Sequence, residues 1–263
     1  MADYYWLLDQ GSSRLKWQVR SGEGRVIERG DSAWTPPSGK PALPEANPSA
    51  IWLARVGNAA RERSLLQAIQ ARLPGVPVHV VRPAAEGPLG LRLDYDHSQL
   101  GTDRYCALLG VLAQSAEPAV VVDAGTAVTI DLLDTGGRHL GGYILPGYVT
   151  GVRAVSDLLP DALRRTFPTA LGNGPSCPKG PGHNTADALM GGWARGLVAA
   201  IEHLGSGAWP NVPAAPRWWW TGGDAPWLAK LVAREVRLEP DLVLEGLWQQ
   251  ALHDLDPGSG VSR

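Results

Sequence analysis

The run Ala119–Asp131, A-V-V-V-D-A-G-T-A-V-T-I-D, restricts the fold more than any other part of the chain. Valines lead into Asp123, small residues follow, and Val128 and Ile130 then alternate with polar positions. The pattern reads as strand, tight turn, strand. The carboxylate stands where the first strand ends, and Gly125 lets backbone approach whatever the turn faces. Tyr4–Val19, Y-Y-W-L-L-D-Q-G-S-S-R-L-K-W-Q-V, has the same form. An apolar strand runs into Asp9, then Gly11 and the hydroxyls of Ser12 and Ser13, then a second strand. Two acid–glycine–hydroxyl hairpins, about half a chain apart, predict an internal duplication with one active site between the copies.

Around these hairpins the chain alternates strand and helix. Tyr4–Leu8 and Leu15–Arg20 form the first pair, with Leu15, Trp17 and Val19 on one face and Arg14, Lys16, Gln18 and Arg20 on the other. Arg25–Glu28 and Ile51–Val56 read as strands, and the proline-rich Thr35–Pro48 as a mobile surface loop. Asn58 is placed to cap a helix running to about Leu73, and Val76–Val81 is a further strand. Leu100–Gly110 opens with L-G-T-D-R and continues as an apolar helix. In the second half, Val120–Val122, Val128–Leu133 and His139–Ile144 are strands, and Val152–Leu159 is a short helix. Phe167–Gly182 is a glycine- and proline-rich loop, and Thr185–His203 a helix carrying Gly191, Gly192 and Gly196. Trp218–Trp220 reads as a strand packed on both faces, Thr221–Asp224 as a turn, and Leu242–Leu252 as the last helix before a frayed tail, Asp256–Arg263. This order implies an α/β fold of two similar domains, 1–116 and 117–263, with the boundary near Gln114–Pro118.

Composition removes several classes of function. The formal net charge of −2 leaves no electrostatic footprint for nucleic acid or an anionic membrane. No apolar run approaches the roughly 20 residues that span a bilayer, and the first residues lack a secretory signal pattern. Cys106 and Cys177 make no disulfide framework and no metal-ligand spacing. A cytoplasmic protein is the expectation. His97, His139 and His183 form no metal spacing and read as surface or loop histidines.

The chemistry that suits the hairpins is phosphoryl transfer. It needs donors around phosphates, carboxylates to hold or orient a metal, and a base near the acceptor hydroxyl. Gly11 and Gly125 offer backbone N–H groups, Ser12, Ser13 and Thr126 offer hydroxyls, and Lys16 offers a point charge. Asp9 and Asp123 carry the negative charge that a hard cation requires. Either hairpin alone reads first as an ordinary β-turn; the recurrence is what favours a phosphate site. In L-G-T-D-R, Asp103 reads as a helix cap or as a functional acid. Arg104 opposes the helix dipole there, so it calls for an anionic partner, either Asp103 or a ligand carboxylate.

Taken together these motifs resemble the type III pantothenate kinase family, which includes the Bvg accessory factor. The family's D-x-G-N-T-x-x-K-W appears as Asp9–Trp17, its L-G-x-D-R as Leu100–Arg104 and its D-x-G-T-A-x-T-x-D as Asp123–Asp131. Its G-G-x-I-x-P-G appears as Gly141–Gly147, its N-T as Asn184-Thr185, and its T-G-G-D and D-L-x-L-x-G-L as Thr221–Asp224 and Asp241–Leu247. Ser12 and Ser13 stand where the family has Asn-Thr. The segment from Tyr95 to Gly101 lacks the family's proline and is one residue short.

The resemblance implies an actin-like, sugar-kinase-like (ASKHA) fold of two duplicated domains with the active site between them, as a homodimer. It implies ATP-dependent phosphorylation of pantothenate, the first step of coenzyme A biosynthesis. By the same resemblance Asp103 is the catalytic base, and Tyr95, Gly101, Thr102, Asp103 and Arg104 line the pantothenate site, with Thr185 contributing across the dimer interface. Asp9, Gln10, Gly11, Ser12, Ser13, Arg14, Leu15, Lys16 and Thr126 handle ATP and magnesium. Asp123 and Asp9 are the metal ligands, Asp123 for a monovalent cation (potassium or ammonium), and Gly222–Gly223 lie near the nucleotide base. The alternatives are a same-fold kinase for another small hydroxy acid or sugar, and a transcription-linked regulatory protein; the charge and the lack of a helix-turn-helix pattern oppose direct nucleic-acid contact.

Overall fold

The computed structural model describes residues 3–34, 42–55, 57, 59–167, 180–207 and 215–256. The expected cap at Asn58, Cys177, much of the Thr35–Pro48 and Phe167–Gly182 loops and most of the tail lie outside the described residues. The chain separates into two compact units. The first comprises Met1–Ala116, Gly136–Arg138 and Asp241–Arg263; the second comprises Glu117–Thr135 and His139–Pro240.

The first unit starts with β1 (Tyr4–Gln10), β2 (Arg14–Ser21), β3 (Val26–Ala33) and β4 (Ala50–Arg55). α1 (Ala59–Arg72), β5 (Val78–Val80), β6 (Arg92–Leu93) and α2 (Thr102–Leu112) follow. Among the described residues its sheet has the order β3-β2-β1-β4-β5. β1, β2 and β3 are antiparallel neighbours, whereas β1, β4 and β5 run parallel. One face carries Trp6, Leu8, Leu15, Trp17, Ile51 and Leu53, packed on Leu65 and Ile69 of α1.

The second unit carries β7 (Ala119–Ala124), β8 (Ala127–Leu133), β9 (Arg138–Pro146), α3 (Tyr148–Ser156), α4 (Asp161–Arg164) and α5 (Thr185–Ser206). β10 (Arg217–Thr221), α6 (Ala225–Leu228) and β11 (Arg237–Leu238) complete it. Its strands succeed one another as β9-β8-β7-β10-β11, antiparallel for the first three and parallel for the rest. This is the order of the first unit repeated: three consecutive strands by hairpins, then two added by crossovers on the other side of the first. The duplication read from the two hairpins is thus present in strand order and in strand sense. Val120, Val122, Trp218 and Trp220 bury one sheet face against Ala194, Leu197 and Ile201 of α5. Trp219 is also fully buried, so the tryptophan strand is covered on both faces.

α7 (Leu242–Leu255) returns to the first unit, where it packs on α2 and on β1 and β4. The close approach is fixed by Gly246: a Cβ there would sit 1.7 Å from the carbonyl oxygen of Cys106. α7 also covers the polar side of β2. Gln18 Nε2 donates to Asp241 at 2.9 Å, and Arg20 pairs with Glu245 at 2.8 Å while its guanidinium lies over the Trp248 ring. Gln18 and Arg20 are therefore buried despite their polarity.

One expectation is overturned. His139 is not a surface histidine: it is fully buried, with Nε2 2.7 Å from Asp131 Oδ1. It stands between Arg138 and Leu140, and Gly141 and Gly142 then break the alternation, so no period-two pattern marks this position as facing inward. β3 also runs five residues further than the expected Arg25–Glu28, to Ala33, because its partner β2 offers a full-length antiparallel edge.

Candidate functional site

In the first unit β1 ends in the acid–glycine turn. Asp9 faces Lys16 across the β1–β2 ladder, and Gly11 N donates to Arg14 O at 3.0 Å to close the hairpin. Ser12 and Ser13 are exposed at its tip. The tip is held from outside the hairpin by Trp34, whose Nε1 donates to Gly11 O at 3.1 Å, and by Arg61, which donates to Ser12 O. Arg14 is exposed and pairs with Asp31, and Leu15 is fully buried in the core. Of the residues expected around ATP in this stretch, those with polar groups presented at the turn are Asp9, Ser12, Ser13 and Lys16.

α2 brings the L-G-T-D-R motif to the same unit. Gly101, with extended backbone, occupies the N-cap position, and no side chain caps the helix. Asp103 therefore stands inside the first turn and is not the cap residue. Its Oδ1 accepts from Arg104 N at 2.8 Å, so it satisfies one of the free first-turn donors. A Cβ at Gly101 would meet that same Oδ1 at 2.5 Å, which explains a glycine at this place. Arg104 is buried, and its guanidinium lies 5.1 Å from the centre of the Tyr95 ring. Tyr95 and Arg104 are thus brought together even though the segment between them is shortened.

The two motifs meet electrostatically. Burial pushes the Asp9 carboxyl up to about 7; Lys16 opposes that shift and the Asp103 charge adds to it. Burial, and then the charges of Asp9 and Asp103, also hold the thiol of Cys106, the buried cysteine of α2, well above its usual range. The charges of Asp9, near the end of β1, and Asp103, in the first turn of α2, therefore act on each other.

Beside the start of α2 lies a cavity of about 530 Å³ within the first unit. Gly101, Thr102 and Leu100 form one wall; Gln10, Arg55 and Glu62 form another. Arg55 Nη1 donates to Glu62 Oε2 at 2.6 Å across that wall. Arg55 and Glu62 were not singled out from sequence. The available signal was a charge ending the otherwise apolar run Ala50–Ala54, with an acid seven residues later in the first turn of a helix.

In the second unit Asp123 stands next to the end of β7, and Gly125 N donates to Ala127 O at 3.0 Å, closing a turn one residue tighter than that of the first hairpin. Thr126 is exposed, and its carbonyl accepts from Thr150 Oγ1 and Gly147 N. The T-G-G-D turn closes over Asp123. Gly222 has φ +93°, and a Cβ there would lie 2.4 Å from both Asp123 Oδ1 and Ala124 O. Asp224 N donates to Ala124 O at 2.9 Å, and burial raises the Asp224 carboxyl while its bond from Trp227 opposes the rise. Thr185 is exposed in the first turn of α5, which Asn184 caps by accepting from Asp187 N. Among the described residues no group of three or more His, Cys, Asp and Glu gathers as a metal centre. No helix among them is long and apolar enough to cross a membrane.

Comparison with known proteins adds a family. A family model described as type III pantothenate kinase matches residues 6–206. The type III pantothenate kinase of Alkalilimnicola ehrlichii is 35% identical over 254 residues, 94% of this chain and 98% of that protein. A Campylobacter jejuni structure named for the Baf family of transcriptional activators superposes with a TM-score of 0.56 at 22% identity, over 96% of this chain and 98% of that one. The activator of 2-hydroxyisocaproyl-CoA dehydratase from Clostridium difficile, solved with bound ADPNP, superposes with a TM-score of 0.52 at 12% identity, over 100% of both chains. These two structures share the fold.

Proposed function

The chain belongs to the type III pantothenate kinase family, and we propose that it transfers the γ-phosphoryl group of ATP to the primary hydroxyl of pantothenate at Asp9 and Asp103. The observation that supports this reading is the place of Asp103 in the first turn of α2, its Oδ1 against Gly101, which walls the cavity together with Thr102.

Asp103 takes the proton of the acceptor hydroxyl. Its carboxylate sits in the first turn of α2, next to the cavity wall, while its other contact, to Arg104 N, keeps it oriented. Tyr95, Gly101, Thr102 and Arg104 position the acceptor, with the Arg104 guanidinium over the Tyr95 ring. Gly11, Ser12, Ser13 and Lys16 of the first hairpin, with Thr126 of the second, receive ATP phosphates. Gly222 and Gly223 lie near the base.

Asp9 fits a magnesium ion that arrives with ATP. A carboxylate this desolvated favours a nearby positive charge, and magnesium is held in such sites by one or two carboxylates plus phosphates, so no all-protein ligand cage is needed. Held by Asp9, such an ion would supply positive charge to offset that of the ATP phosphates. Asp123, pressed beneath the Gly222 turn, fits a monovalent cation, potassium or ammonium. A homodimer in which Thr185 reaches the partner's site, and a cytoplasmic location without nucleic-acid contact, complete the reading. The exposed Thr185 and the open flanks of Gly192 and Gly196 on α5 support the dimer.

The test is ADP release with pantothenate, with a panel of other hydroxy acids and sugars, and with no acceptor, each in potassium and in sodium. Pantothenate-dependent turnover that is higher in potassium is expected. No pantothenate-dependent ADP would overturn the kinase reading, and equal rates in the two salts would remove the cation role from Asp123.

A further inference from the structure

The tip of the first hairpin is held by groups from two other elements. Three consecutive carbonyls there each accept a hydrogen bond: Gly11 O from Trp34 Nε1 at 3.1 Å, Ser12 O from the Arg61 guanidinium, and Ser13 O from Trp34 N at 3.3 Å. Trp34 directly follows β3, and Arg61 stands in the first turn of α1. The guanidinium also lies over the Trp34 indole, 5.7 Å from its centre. Trp34 is half-buried and packs on the edge of the first unit's core, so it ties the core to the turn. A trans peptide is planar, with C=O and N–H on opposite sides. Fixing Gly11 O on Trp34 therefore turns the Ser12 N–H away from Trp34. Ser12 lies between two peptide planes, each held at its carbonyl oxygen, so the direction of its hydroxyl-bearing Cβ is set as well. The turn's own closing bond, Gly11 N to Arg14 O, uses none of these three carbonyls.

We propose that Trp34 and Arg61 are positioning residues for ATP, which latch the Gly11–Ser13 turn in the conformation that receives the phosphates. The proposal rests on the reading of the first hairpin as a phosphate site. Ser12 gives the latch its weight in this chain. It stands where the family has Asn, and a serine hydroxyl ends one bond nearer the backbone than a carboxamide does. Its reach is therefore set by where the backbone is held, not by side-chain rotation. A donor fixed before the ligand arrives costs no ordering on binding. Where only a fraction of molecules holds the competent turn, the apparent Kd rises by the inverse of that fraction. Trp34 acts through the turn and not on ATP, because its indole has one N–H and that N–H is given to Gly11 O.

The experiment compares the parent chain with Trp34→Phe and Arg61→Met. Titration calorimetry measures binding of a non-hydrolysable ATP analogue with magnesium, kinetics give KM for ATP and for pantothenate, and melts give Tm. Phenylalanine keeps a ring on the core and under Arg61, changes no charge and removes the indole N–H. Methionine keeps an apolar stem and removes the donors of Arg61, which is not among the buried residues of α1, Leu65 and Ile69, so the fold does not depend on it. Each variant should bind the analogue about three- to tenfold more weakly, as the loss of one hydrogen bond predicts. KM for ATP should rise in step, with KM for pantothenate unchanged. Parent-like affinity in Trp34→Phe would overturn the latch. A loss confined to Arg61→Met would make it an effect of charge on ATP and overturn the positioning role. A rise in KM for both substrates with a fall in Tm, in both variants, would make the contacts structural only and overturn it too. The binding measurement needs no acceptor, so it judges the latch by itself, while the kinase reading fails separately, on absent pantothenate-dependent ADP in the parent. A parent that binds no nucleotide would remove the phosphate site and the proposal with it.

Discussion

Asp9→Asn should stabilise the ligand-free protein at neutral and alkaline pH while disabling it. The Asp9 carboxyl titrates at about 7 in the folded chain against an ordinary 3.8, chiefly because of burial. The native state thus holds this proton more tightly than the unfolded chain. The stability it contributes is fully present below pH 3.8 and is lost as pH rises through about 7. At about 1.36 kcal/mol per unit, the full penalty above that range is at most about 4 kcal/mol. Between about pH 5 and pH 8 the penalty grows by roughly 2.5 kcal/mol. Asparagine does not titrate, so its advantage over the parent should grow by that amount across the interval. For a chain of this size that is roughly 5–10 °C in Tm. Thermal melts of both proteins in chelator, without nucleotide, measure it directly. A Tm difference that is the same at both ends of the pH range would refute the assignment of the shift to Asp9. Adding magnesium and a non-hydrolysable ATP analogue should remove the parent's deficit and leave Asp9→Asn unmoved.

Asp103→Asn should lower kcat about 10²–10⁴-fold, the usual cost of losing a general base, with Tm unchanged because asparagine Oδ1 can still accept from Arg104 N; a kcat within a few-fold of the parent would contradict this. Arg104→Ala should weaken pantothenate binding by roughly 2–5 kcal/mol and spare ATP binding, as titration calorimetry on each ligand would report. Gly246→Ala should lower Tm by several degrees, because the new methyl overlaps the Cys106 carbonyl and overpacking of this kind costs about 1–3 kcal/mol or more.

Much of this fold was legible because period-two alternation is a local signal. The hairpins, the tryptophan strand and the helix after L-G-T-D-R all follow from residues within a dozen positions of one another. What alternation cannot report is what lies against each face. It separated Lys16, Gln18 and Arg20 from Leu15, Trp17 and Val19, but their cover, Asp241 and Glu245, comes more than two hundred residues later. His139 was misread for the same reason: its burial depends on Asp131 from the neighbouring strand, and neither residue is apolar. At the site, the motif residues were identifiable by type, yet only the folded chain shows that Asp103 is inside the helix and Gly101 at its cap. The Arg55–Glu62 pair joins a strand end to a helix start, a meeting that no spacing rule anticipated.

The discontinuity of the first unit has a consequence for biosynthesis. α2, which carries Asp103, buries its flank against α7, and α7 is made only after the whole of the second unit. A ribosome moving at about 5–20 residues per second needs roughly 6–25 s to pass from Ala116 to Asp241. Throughout that interval the nascent first unit has its strands and α1 but lacks the helix that seats α2 and neutralises Arg20. It waits with an apolar surface open while the second unit is synthesised and folds. Seating of α2, and with it of Asp103, is therefore deferred until α7 has been made, and a nascent chain stalled before Asp241 should remain protease-sensitive within α2 however long it is held.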